Sequence, residues 1–113
     1  MPSTQEQIKS AILLNEPIFR PDFYIWACNN HEIYSHFEQD AKRFAANGFK
    51  KIGAKMIIEN IRYRTKLREI GNGEWKINNN FSADLARLFL LLNPEFPGLF
   101  EIRVVHSNIL RGI

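Results

Sequence analysis

Gly53-Ala54-Lys55-Met56-Ile57-Ile58-Glu59-Asn60-Ile61-Arg62-Tyr63-Arg64-Thr65-Lys66-Leu67-Arg68-Glu69 is the stretch that decides the fold. Ala54, Ile57, Ile58 and Ile61 recur at helical steps and share one face, while Lys55, Glu59, Arg62, Lys66 and Glu69 form a charged stripe on another. The pattern predicts a helix from about Gly53 to Glu69, with one face in a core and the other in water.

Toward the N-terminus, Asn47-Gly48 is a helix stop, since both residues tolerate the left-handed backbone of a C-terminal cap. It closes a helix predicted from His31 to Ala46, with Ile33, Phe37, Ala41 and Phe44 on the inward face. Phe23, Tyr24, Trp26 and Ala27 supply an aromatic-rich surface of ambiguous local structure after Pro21-Asp22. A first short helix is predicted after Ser3 or Thr4, with Ser3 and Glu6 at capping-box spacing. Its face is Ile8, Ala11 and Ile12 with Leu14, or Ile8, Ala11 and Asn15, and Pro17 ends it.

Toward the C-terminus, Gly71-Asn72-Gly73 breaks the chain, and Glu74-Trp75-Lys76-Ile77-Asn78 alternates as a half-buried strand does. Ser82 or Asn80 can cap a fourth helix ending near Leu92, whose Ala83, Leu85, Ala86 and run from Leu88 to Leu92 mark it as the central buried one. Asn93-Pro94 closes it, Pro97-Gly98 turns the chain, and Phe100-Glu101-Ile102-Arg103-Val104-Val105 reads as a second strand able to pair with residues 74–78. The expected fold class is mainly α (α+β), about four helices with a small two-stranded β-sheet, in one domain over residues 1–113.

At 113 residues, 45% of them hydrophobic, the chain is long enough for one core without staples. Cys28, the single cysteine, follows the aromatic run and is expected as core filler. The N-terminus lacks the basic and apolar regions of a signal peptide, and no stretch has membrane-spanning length, so a soluble cytoplasmic protein without membrane contact is expected. Charge is more informative. Nine Lys or Arg lie between Lys42 and Arg68 against one acid, Glu59; this local +8, within a net +3, leaves −5 for the remainder. A clustered positive field is the footprint of phosphate contact, and its alternative is a solvated face.

Lys50, Lys51, Lys55, Arg62, Arg64, Lys66 and Arg68 are therefore the candidate nucleic-acid-binding residues. Arg62 and Lys66 share one side of the helix and Arg64 and Arg68 another; the competing reading pairs Glu59 and Glu69 with Arg62 and Lys66. Residues 40–62 have the element order of a helix-turn-helix, but Arg43 and Asn47 stand where apolar contacts belong, so an αα-hairpin packed by Phe44, Phe49, Ala54 and Ile57 is expected. His31-Glu32 with His36 has one residue too many for a helical metal motif, and His36 with Asp40 reads as a surface pair. Asn78, Asn79 and Asn80 suit a cap more than base reading. No catalytic residue, cofactor or metal is expected.

Two blocks carry a resemblance: Gly53 to Arg62, and Lys76-Ile77-Asn78-Asn79-Asn80-Phe81-Ser82-Ala83-Asp84-Leu85-Ala86-Arg87 continuing through Asn93-Pro94-Glu95-Phe96-Pro97-Gly98-Leu99-Phe100-Glu101-Ile102-Arg103. Together they resemble short uncharacterised proteins encoded by phages and prophages. The resemblance covers about residues 30–103 and implies a small cytoplasmic accessory protein of viral origin, with no activity to carry over. A non-enzymatic nucleic-acid-binding or regulatory module, with DNA or RNA as partner, is the leading expectation. Its alternative is a protein-interaction or assembly module, able to self-associate through the fourth helix or Phe96, Leu99 and Phe100. A metal-dependent nuclease using His31, His36 and Asp40 comes third.

Overall fold

A computed structural model describes residues 2–68 and 81–101, with side chains of the fourth helix described as far as Arg64. Its α-helices are α1 (Gln5–Leu14), α2 (Phe23–Asn29), α3 (His31–Ala46), α4 (Ala54–Arg68) and α5 (Ser82–Leu92), with a 3₁₀ turn at Glu16–Ile18. The mainly helical expectation holds. The count of four helices does not, because Phe23–Asn29 is helical: its period of four buries Phe23 and Ala27, and that tertiary burial overrides the weak helix propensity of an aromatic run. Cys28 is half-buried on this helix, beside rather than within the core.

The two-stranded sheet also needs correction: there is no strand among the described residues. Residues 74–78 and 102–105 of the expected pair lie outside them. Phe100 instead forms one parallel bridge with Ile52, whose N–H donates to the Leu99 carbonyl at 2.8 Å. The loop before α4 is thereby tied to the chain that follows α5.

Each helix contributes one apolar stripe to a shared core. Ile8 and Ile12 come from α1, Ile33, Tyr34, Phe37 and Ala41 from α3, Ile57, Ile58 and Ile61 from α4, and Leu85, Ala86, Leu88 and Phe89 from α5. α1 packs on α2 and α5, while α3, α4 and α5 pack on one another. Rings lock both ends: Phe23 meets Phe19, Trp26 and Phe81, and Phe100 meets Phe37 and Phe89, at centroid distances between 5.3 and 5.8 Å. Leu14, expected on the inner face of α1, is instead exposed.

Polar groups join the pieces as firmly as apolar ones. The capping box of α1 uses Thr4 and Gln7, one residue later than Ser3 and Glu6. Ser3 is thereby released to donate its N–H and its hydroxyl to the buried Glu38, at 2.8 and 2.7 Å. Tyr34 donates to the same carboxylate at 3.0 Å, and Asn93, the C-cap of α5, at 2.9 Å. Four donors fill the acceptor capacity of one carboxylate. Burial pushes the Glu38 carboxyl up, but the bonds from Asn93, Ser3 and Tyr34 outweigh it and hold the group below its ordinary 4.5. Burial, then the Glu38 charge and hydrogen bond, raise the Tyr34 phenol well above 10.

Because its folded value is lowered, the Glu38 carboxylate contributes its full stabilisation above 4.5 and loses it as pH falls through that lower value. Glu38→Gln turns an acceptor into a donor facing three donor residues, with an expected cost of about 2–4 kcal/mol at neutral pH by chemical denaturation. The difference from wild type should shrink in acid. A cost below about 0.5 kcal/mol would show that the four bonds do not anchor the fold.

Candidate nucleic-acid interface

The turn between α3 and α4 is built by its sequence to hold lysines outward. Asn47 caps α3 and Gly48 follows at φ +98°, a left-handed conformation that favours glycine. Gly48 N–H donates to the Ala45 carbonyl and Phe49 N–H to the Phe44 carbonyl, both at 3.1 Å, which is the Schellman pair. The ring contact that commonly accompanies it is present too: Phe44 and Phe49 meet edge to face at 5.2 Å. At the far end of the turn Ile52 is buried and tied to Leu99. Lys50 and Lys51 lie between these two anchors and are exposed, as is Lys55 in the first turn of α4.

The remaining candidates divide. Arg62 bonds Glu59 at 2.7 Å, so the pairing alternative is realised there. Arg64 does not join the exposed set. Its Nη1 reaches both oxygens of Asp40, at 2.9 and 3.2 Å, and its Nη2 lies 3.5 Å from Nδ1 of His36. Asp40 is 2% exposed and also accepts from Arg43. A buried carboxylate needs compensation, and Arg64 supplies it across the hairpin from 24 residues away. Lys66 and Arg68 belong to α4, and their side chains lie outside the described residues.

His31, His36 and Asp40 do not converge on a metal. His31 pairs with Gln5 at 2.8 Å, Asp40 is committed to its arginines, and no group of three metal-ligating side chains occurs among the described residues. Asn78, Asn79 and Asn80 lie outside the described residues; the N-cap position of α5 is Phe81, which makes no side-chain cap. Leu99, Phe100 and most of α5 are used in the core, although Leu91 is exposed; Leu13, Leu14, Ile18 and Ile25 expose further apolar surface on α1, α2 and the turn between them. No helix among the described residues is long and apolar enough to cross a membrane.

Sequence reasoning missed Asp40 as a cross-hairpin anchor, and also the exposure of Phe49 and Tyr63. The helical step from Asp40 to Arg43 was visible, whereas a partner 24 residues on carries no local signal. It missed Asp84 as well. In the first turn of α5 this carboxylate is buried; Oδ1 accepts from the Arg20 backbone N–H at 3.3 Å with Arg87 at 3.7 Å, and Oδ2 has no hydrogen-bond partner among the described residues. Burial raises the Asp84 carboxyl from 3.8 to about 6, opposed by the Arg20 N–H and the charges of Arg87 and Arg20, and assisted by Asp22.

No family model, curated protein or solved structure matches the chain. The geometry therefore stands without a relative to lend it an activity.

Two substitutions check these assignments. Arg64→Gln leaves Asp40 buried with Arg43 alone and is expected to cost about 2–4 kcal/mol of stability in urea denaturation; an unchanged midpoint would mean that Arg64 is not an anchor. Asp84 carries a raised folded value, so its favourable contribution is complete below 3.8 and lost as pH rises through about 6. The stability of Asp84→Asn relative to wild type should therefore improve by up to about 3 kcal/mol between acid and neutral pH. A pH-independent difference would contradict it.

Proposed function

We propose that this chain is a small, non-enzymatic nucleic-acid-binding module whose contact surface is the tip of the α3–α4 hairpin and the outer side of α4. Lys50, Lys51 and Lys55 make the phosphate contacts, and Arg62, Lys66 and Arg68 continue the charge along the helix. The supporting observation is the stretch 41–58: it holds Lys42, Arg43, Lys50, Lys51 and Lys55 and no acid, and its turn is anchored so that Lys50 and Lys51 face solvent. Clustered exposed cations with fixed backbones attract phosphate by counterion release and require no chemistry from the protein. A phage accessory role rests on the two sequence blocks that resemble such proteins.

A second reading, a protein-interaction or self-assembly module, is favoured by a different observation: Leu13, Leu14, Ile18 and Ile25, contributed by the packed pair α1 and α2 and the turn between them, are exposed. That surface is separate in sequence from the basic one, and a module of this kind can use both.

Binding of nuclease-treated protein to labelled DNA and RNA, repeated from about 50 to 200 mM salt, tests the leading reading. The logarithm of affinity should fall linearly with that of salt. Replacing Lys50, Lys51 and Lys55 together with glutamine should lower the slope by about two to three. Retention of the full slope in that variant would remove the hairpin tip from the interface.

A further inference from the structure

Among the described aromatic residues only Phe49 and Tyr63 are exposed, at 49% and 68%; every other ring is buried or half-buried. Both lie inside the segment from Lys42 to Arg68 that holds the local charge of +8. An exposed ring is unremarkable on its own. Confinement of both to the basic segment is a second feature, independent of the charge count, and the two together have a specific chemistry. Phosphates are met by ammonium groups, and the flat faces of unpaired bases are met by rings.

The placement of the rings suits that role. Phe49 is held at the hairpin tip by its Schellman contact with Phe44, directly before Lys50 and Lys51. Tyr63 lies two turns along α4 from Met56, a separation of about 10 Å, and both are exposed on the side away from Ile57, Ile58 and Ile61. Asn60, half-exposed, lies between them, and Lys55 adjoins Met56. Glu59 is the one acid in the sequence between Lys42 and Arg68, and Arg62 pairs with it at 2.7 Å, which reduces its repulsion of a phosphate chain. A duplex hides base faces inside its stack and would leave Tyr63 and Phe49 without a partner, whereas a single strand offers a face at every nucleotide.

We infer that the ligand of this surface is single-stranded nucleic acid, gripped by Lys50, Lys51 and Lys55 through its phosphates and by Tyr63 and Phe49 through base stacking. This rests on the nucleic-acid reading above and names its substrate class. Stacking and phosphate attraction are common to DNA and RNA, so both strands are expected to bind without strong sequence preference.

The test is fluorescence anisotropy with labelled oligothymidylate, oligouridylate and a mixed-sequence duplex, each of about twenty nucleotides or base pairs, longer than one such site. Both single strands should bind more tightly than the duplex at equal salt. Tyr63→Ala should weaken single-strand binding by about tenfold or more, and Tyr63→Phe, which keeps the ring, should stay near wild type. The exposed position of Tyr63 leaves the fold intact, and a thermal melt of each variant confirms it. Equal or tighter duplex binding, or a Tyr63→Ala variant that binds like wild type, overturns the single-strand inference while leaving the charge reading in place. No binding to any of the three overturns both.

Discussion

A carboxylate removed from water must be given donors, and the architecture of this chain depends on how Glu38 obtains its own. Its partners come from three places: Ser3 before α1, Tyr34 one turn back on α3, and Asn93 at the end of α5. Hydrophobic burial is non-directional and would tolerate many mutual arrangements of five short amphipathic helices. Four hydrogen bonds on two oxygens tolerate few. The segment before α1, the middle of α3 and the end of α5 are thereby fixed to one point, and α3 and α5 are joined again where Phe37 and Phe89 both meet Phe100.

From that point α3 also determines the hairpin. Two residues beyond Glu38, Asp40 is buried on another side of the same helix and draws Arg64 across from α4. A solvated basic helix would be free to slide along α3, but this ion pair holds it in register, at the expense of one cation. The division of labour among the cations follows: Arg64 and Arg43 neutralise Asp40, Arg62 neutralises Glu59, and Lys50, Lys51 and Lys55 stay exposed. Asp84 is the contrasting case, a buried carboxylate with a single backbone donor and a distant arginine, and its raised proton affinity is the physical mark of that incomplete satisfaction.

Much of the helical scaffold was legible because it is written at short range. The bounds of α3 and α5 follow from the periods of Ile33, Phe37 and Ala41 and of Leu85, Leu88 and Phe89, and the Asn47-Gly48 stop follows from backbone chemistry. The α1 cap was displaced by one residue because Ser3 and Thr4 are both competent caps, and only the distant Glu38 decides between them. The helix at Phe23–Asn29 was hidden by aromatic residues whose propensity favours strands. The candidate site was legible as charge, and less so as geometry: seven cations look equivalent along the chain, yet a buried aspartate on a neighbouring helix withdraws Arg64 from the set. Exposure of Tyr63 could have been read from its position opposite Ile57, Ile58 and Ile61 on the helical wheel, had the ring been weighed with the charges around it.

The most direct measurement is an amide chemical-shift titration of isotopically labelled protein with a short single-stranded oligonucleotide. The account predicts that shifts concentrate at residues 49–51, at Lys55 and Met56 and around Tyr63, while the amides of α1 and α2 stay in place. Shifts concentrated instead at Leu13, Leu14 and Ile25, or spread evenly over the chain, would contradict it.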